Sequence, residues 1–184
     1  MCSSGDKKSD DKLLLQLENN FKTVNEWLKF AEQKNASLIV LNAGIIWGVS
    51  RLFINKVNLE QLSVYLNWVG YSLSGISLLI GIISLMPILS NVWYINKEKN
   101  ESDNSVYFGH IAKYTDKAYL DLLSSKIGFL RKQYTGIEYD LANQLIVNSG
   151  IAMVKFSRFK ISSYLTLGSI FFFGVSSIIF FTGS

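Results

Sequence analysis

Three stretches of this chain carry no charged side chain: residues 35–50, 61–96 and 161–184, which are 16, 36 and 24 residues long. A helix needs about 20 mainly apolar residues to cross about 30 Å of hydrocarbon. The second and third stretches meet that length and the first nearly does. They predict membrane spans from Ala36 to Ile54, from Leu62 to Ile88 and from Ile161 to Thr182. Ahead of the first span, Leu14, Leu17, Phe21, Val24, Leu28 and Ala31 recur at spacings of 3, 4, 3, 4 and 3. That is one narrow helical stripe. It suits first a helix packed on the protein's own cytosolic part, with an oligomerisation seam as the alternative. Trp27 and Phe30 are expected near the membrane face, where aromatic rings are favoured. Residues 1–11 are polar and are expected to be disordered.

After the second span, residues 97–105 read as a solvated loop and Val106 to Tyr114 as a short aromatic segment. Thr115 is a candidate N-cap for a helix from Asp116 to Gln133, ended by the break Tyr134-Thr135-Gly136. From Ile137 a second stripe follows through Leu141, Leu145, Ala152, Phe156 and Phe159. Only Gly150 interrupts it before the third span, so one long helix is expected to enter the membrane. The fold class is therefore all-α: an integral membrane protein with three transmembrane helices and a small helical cytosolic module. The expected organisation is a cytosolic tail and amphipathic helix (1–35), a transmembrane hairpin (36–96), a cytosolic module (97–160) and a final span (161–184).

Polar and small residues inside the spans mark helix-packing positions. Asn42 places an amide in hydrocarbon, which calls for a partner on a facing helix. Gly44 and Gly48 form a G-x-x-x-G, and Gly70 with Ser74 and Ser77 with Gly81 repeat the four-residue spacing of small residues that lets helix backbones approach. Ser72, Ser74, Ser77 and Ser84 give the second span a serine-rich face. It serves tight packing in a single hairpin, or a wet path in an oligomer. Pro87 is expected to bend or end that span, with Trp93 and Tyr94 as an interfacial belt.

Charge sets the orientation. The chain is 49% hydrophobic and 17% charged, with a formal net charge of +4. Lys29 and Lys34 precede the first span, Lys97 and Lys99 follow the second, and Lys155, Arg158 and Lys160 precede the third. All three groups face the cytoplasm if the N-terminus is inside and the C-terminus outside. The cations form no dense stripe of the kind that binds nucleic acid. Cys2 is the only cysteine, so no disulfide forms within the chain, and Leu13-Leu14-Leu15 is too short for the core of a signal peptide. One Cys and one His cannot build a zinc site, and no glycine-rich phosphate loop is present. Neither enzyme activity nor a cofactor is expected. The candidate ligand-binding residues are Tyr107, His110 and Lys113, together with Arg131 and Lys132. Aromatic rings stack on bases and cations pair with phosphate. Such groups suit a nucleotide and also an ordinary folded surface.

Three segments resemble a known family. The first runs from Trp27-Leu28-Lys29-Phe30-Ala31-Glu32-Gln33-Lys34-Asn35-Ala36 into Asn42-Ala43-Gly44. It is similar to the "A-D-x-K-A-x-x-L…N-G" approach to the first span in the Pycsar transmembrane effectors, with Glu32 and Asn35 as departures. Val106-Tyr107-Phe108-Gly109-His110-Ile111 followed by Tyr119-Leu120 resembles their "F-G-x-I…Y-L" segment. Asp140-Leu141-Ala142-Asn143-Gln144-Leu145 with Asn148 and Lys155-Phe156 resembles their "D-L-x-x-Q-I…N…K" helix. The resemblance covers residues 12–180 as one domain. It implies a bacterial antiphage effector of the inner membrane, paired with a pyrimidine cyclase. Such an effector responds to cyclic UMP or cyclic CMP and disrupts the membrane in abortive infection, with a homo-oligomer expected. The competing class is a constitutive structural or accessory membrane protein without ligand gating.

Overall fold

A computed structural model of the chain describes residues 4–53, 61–88, 100, 102–128 and 133–182, with side chains from residue 11 onward. The described secondary structure is all helical: α1 (Ser4–Phe53), α2 (Gln61–Leu85), α3 (Phe108–Ile111), α4 (Asp116–Ile127) and α5 (Gly136–Thr182). α1, α2 and α5 are long and apolar enough to cross a membrane. The chain forms two compact units, residues 1–30 with 88–154 and residues 31–87 with 155–184. α1 and α5 each contribute to both.

The first unit has a conventional apolar core. Leu13, Leu17 and Val24 of α1, Phe108 and Ile111 of α3, Tyr119, Leu120 and Leu123 of α4, and Ala142, Leu145 and Ala152 of α5 are buried. The buried stripe of α1 differs by one residue from the expected one. Leu13 and Asn20 hold the inner places, and Leu14 and Phe21 lie half-buried beside them. Asn20 belongs inside because its amide is satisfied there. Its Nδ2 donates to Tyr119 Oη at 2.8 Å and to the Ser105 carbonyl at 3.1 Å, and its Oδ1 accepts from Gln16 at 2.9 Å. Hydrogen-bonded polar groups bury readily, and hydrophobicity alone cannot show it.

Helix ends follow local chemistry. α5 begins with a capping box: Glu138 accepts from Thr135 N at 2.7 Å, and Glu138 N donates to Thr135 Oγ1 at 3.3 Å. This buries Glu138 and leaves the expected stripe residue Ile137 exposed. α4 stops at Ile127 rather than at Gln133, because Gly128 takes a left-handed φ of +89° as its C-cap. Thr115 sits at the N-cap of α4 without a side-chain cap, and its carbonyl accepts from Tyr119 N at 2.8 Å. The helix α1 begins at Ser4, not after residue 11; no proline interrupts the stretch leading to the buried turn at Leu13. Gly150 lies inside α5 without breaking it.

The second unit inverts the usual pattern. The buried positions of α2 are Ser63, Asn67, Gly70, Ser74, Ser77, Gly81 and Ser84, spaced 4, 3, 4, 3, 4 and 3. Buried with them are Ala31, Asn35, Leu38 and Asn42 of α1 and Lys155, Ser162, Thr166, Ser169, Phe173 and Ser176 of α5. Val40, Trp47, Tyr65, Trp68, Leu79, Leu167, Phe171 and Ile178 point outward. Lipid solvates large apolar side chains well, so helices there associate through close packing and polar contacts between small residues. Ser72 lies outside this seam and bonds the Trp68 carbonyl of its own helix. Of the four serines expected on one face, Ser74, Ser77 and Ser84 lie on it, together with Ser63. α2 ends at Leu85, ahead of Pro87. Trp93 and Tyr94 lie outside the described residues.

The glycines separate into two kinds. A Cβ at Gly70 would meet the Phe173 ring at 2.6 Å, and one at Gly81 would meet Ile39 Cγ1 at 2.8 Å. A Cβ at Gly44 or Gly48 meets nothing within 4 Å. Gly70→Leu and Gly81→Leu should each cost about 1–3 kcal/mol through overpacking, seen as a lower melting temperature in detergent. Gly44→Leu should leave the melting of the protomer unchanged.

Candidate functional site

In the first unit, residues 100 and 102–114 are organised around one carboxylate. Asp103 is only 4% exposed. Its Oδ2 accepts from Asn100 N at 3.1 Å and Tyr114 Oη at 3.0 Å, and its Oδ1 from Lys113 Nζ at 3.1 Å. The Asn100 amide is the largest influence that holds the Asp103 carboxyl down at about 2; burial opposes it, and Lys113 and Tyr114 assist. Burial, with Asp103 adjacent, pushes the Tyr114 phenol up to about 12. Burial likewise raises Tyr119 to about 12, against its bond with Asn20. Both phenols stay protonated and act as donors. Lys126 Nζ also donates to the Asp103 carbonyl.

The expected ligand residues fall on this structure as follows. Lys113 is held by Asp103. His110 Nδ1 accepts from Asn104 N at 2.8 Å, which fixes the turn before α3. Tyr107 is 45% exposed and packs on Phe108 and His110 with ring centroids 4.7 and 5.3 Å apart. Trp27 lies against the same Phe108 at 5.7 Å. Arg131 and Lys132 lie outside the described residues. A recess of about 600 Å³ opens beside α4, lined by Asn100, Tyr114, Ala118, Asp121, Leu122, Ser125 and Lys126. None of the described residues expected to bind a ligand lines it. The signal available was the spacing of Ala118, Asp121, Leu122 and Ser125, which places them on one face of a helix. Asn100 and Tyr114 come from a separate segment that only the fold brings alongside.

In the second unit, Asn42 is the centre of the seam. Its Nδ2 donates to Leu38 O at 2.9 Å, Thr166 Oγ1 at 2.9 Å and Ser77 Oγ at 3.2 Å, and its Oδ1 accepts from Ser74 Oγ at 2.8 Å. Ser77 and Ser162 hydroxyls meet at 2.7 Å, and Ser63 and Ser176 hydroxyls at 2.8 Å. Lys155 is buried and pairs with the half-exposed Glu32 at 2.8 Å. Asn35 donates to the Lys155 carbonyl at 3.2 Å. Of the expected packing residues, Asn42, Gly70, Ser74, Ser77 and Gly81 line this seam. Gly44 and Gly48 instead line an outward groove of about 500 Å³ with Ile45, Val49, Leu52, Ile170, Phe173, Gly174 and Ser177. Lys155, Ser162, Thr166 and Ser176 were not singled out as packing residues from sequence.

Three long apolar helices and a small helical unit define a multi-span membrane protein with an extramembrane module. The chain belongs to the Pycsar effectors: the Pycsar effector protein domain (PycTM) matches residues 16–182. Membership makes this a membrane effector of antiphage defence that responds to a cyclic-nucleotide signal, in a family not known as enzymes. Neither a curated protein nor a solved structure matches the chain. Among the described residues, no group of three or more His, Cys, Asp or Glu side chains gathers as a metal site.

The Asp103 carboxyl gives an acid signature. Its pKa is lowered from 3.8 to about 2 in the folded chain. The stability it contributes is therefore complete when pH is well above 3.8 and is lost as pH falls toward 2. Melting measured against pH should show this loss, and Asp103→Asn should reduce the slope in that window while lowering stability at neutral pH.

Proposed function

We propose that this protein binds a cyclic pyrimidine mononucleotide, cyclic UMP or cyclic CMP, on its cytosolic unit. Binding then makes the bacterial inner membrane permeable and aborts infection. The observation that carries this reading is the family match over residues 16–182. The chemistry of the recess beside α4 supports it. Lys126 supplies a cation for the phosphate, Tyr114, Asn100 and Ser125 supply polar groups, and Ala118 and Leu122 supply an apolar wall for a base. Arg131 and Lys132, which lie outside the described residues, are kept as candidate phosphate partners on their charge alone. Tyr107 offers an exposed ring, while His110 and Lys113 shape the loop that borders the recess.

The cation groups next to the spans favour an N-terminus in the cytoplasm and a C-terminus outside. The organisation is then a cytosolic tail and helix, a hairpin, a cytosolic module and a last span. Three helices enclose little space, so the active form is an oligomer, with the open groove at Gly44 and Gly48 as the contact between copies. A pyrimidine cyclase supplies the signal. A ligand shifts a two-state balance only through its differential affinity for the two states. Passing from about 1:99 to about 99:1 takes about 5.5 kcal/mol. α5 is a single helix from Gly136 to Thr182 and provides the covalent route for that bias.

Purified protein titrated with cyclic UMP, cyclic CMP, cyclic AMP and cyclic GMP should bind a pyrimidine form, and that form should release potassium from loaded proteoliposomes. Lys126→Ala should weaken binding about tenfold, the loss expected for one charge-assisted contact, without lowering the melting temperature in step. Release independent of every nucleotide returns the protein to the structural class. A reporter active only in the cytoplasm, fused after Ser184, should stay silent.

A further inference from the structure

We propose that the buried seam of hydroxyls and amides in the membrane unit is the lining of the ion path: on activation its helices part and the seam takes up water. This rests on the membrane-permeabilising reading above and names the surface that performs it. Three observations carry it. First, the seam has the right length. From Ser63 to Ser84 the inner face of α2 is continuous, and 21 steps of about 1.5 Å give about 32 Å, the thickness of a hydrocarbon core. Second, the opposite faces cannot line water: they carry Trp47, Trp68, Leu79, Leu167, Phe171 and Ile178. Third, the seam is only partly satisfied when closed. Asn67 Oδ1, Ser84 Oγ and Ser169 Oγ are buried and have no hydrogen-bond partner, on side chains no more than 6% exposed. A buried polar atom without a partner is costly, and water relieves that cost. Tight packing alone is served by Gly and Ala, as at Gly70 and Gly81. Hydroxyls on both sides of the level where the Phe173 ring meets Gly70 give the parted state a wettable wall, with Lys155 and Glu32 at one end of the seam.

The test uses single cysteines in a Cys2→Ser background. Ser77→Cys and Ser169→Cys report the seam, and Ser72→Cys reports the outer face. Each protein is reconstituted in liposomes and exposed to a charged, water-soluble thiol reagent, with and without cyclic UMP or cyclic CMP. The expected result is a rise in labelling rate of about tenfold or more at Ser77→Cys and Ser169→Cys with the nucleotide that releases potassium, and no rise at Ser72→Cys. Tenfold corresponds to about 1.4 kcal/mol in the population of the wet state. Potassium release with seam cysteines as unreactive as Ser72→Cys overturns the proposal and leaves the nucleotide reading intact. If neither nucleotide releases potassium, the nucleotide reading fails, and the same variants in planar bilayers under applied voltage decide the seam. Current blocked by the reagent at Ser77→Cys and not at Ser72→Cys supports it; no current, or current the reagent leaves unchanged, overturns it.

Discussion

The amide of Asn42 joins three helices at one point. Ser74 and Ser77 reach it from α2 and Thr166 from α5. In lipid there is little hydrophobic force between helices, and an interhelical hydrogen bond contributes on the order of 0.6 kcal/mol. One such bond decides little. A residue that engages partners on all three helices decides register, because a shift of one residue on any helix would leave the amide facing a side chain that cannot answer it. The neighbouring Ser77–Ser162 and Ser63–Ser176 contacts then fall into place at matching heights. Close approach at Gly70 and Gly81 follows from that register.

The two units solve the same packing problem with opposite chemistry. Inner places in the extramembrane unit go to Leu13, Leu17, Val24, Leu120, Leu123 and Leu145, where water drives them together. Its polar interior groups Asn20, Tyr119 and Asp103 are tied to backbone or to each other. In the membrane unit the large apolar residues move outside and the inside is left to small and polar ones. α1 and α5 change from one scheme to the other part-way along their length, near Ala31 and Lys155, without a break in the helix.

Much of this was legible from the sequence. Uncharged stretches marked the three spans, since a charge in hydrocarbon is expensive. The run of helix-compatible residues after Ile137 indicated the continuity of α5. The register of the stripes was less legible. Hydrophobicity selects Leu14 and Phe21, but the fold places Leu13 and Asn20 inside because Tyr119 and the Ser105 carbonyl satisfy the amide. Ile137 yields to Glu138 for a similar reason, the capping box. The serines of α2 were visible as a group, yet their partners on α5 were hidden in a segment that reads as Phe and Ile. The recess beside α4 needs Asn100 and Tyr114 from one segment and Lys126 from another, and no local pattern announces that meeting. The family segments proved informative in an indirect way: Asn42 and Lys155, which lie in them, are seam residues, and Glu32, a departure from the shared pattern, is the partner of Lys155.

Along the inner face of α1, Leu17, Val24, Ala31 and Leu38 keep one seven-residue phase, while their inner neighbours change from Leu13 and Asn20 to Asn35 and Asn42, one residue later in the repeat. Each residue added to a helix turns everything beyond it by about 100°, given about 3.6 residues per turn. A single residue inserted or deleted between Val24 and Ala31 would therefore bring different side chains to the phase that Asn35 and Asn42 now hold, while Leu13 and Leu17 kept theirs. Side chains along the outer face of this helix are open to exchange; its length is not. The number of residues between two buried positions is constrained as tightly as the identity of either one.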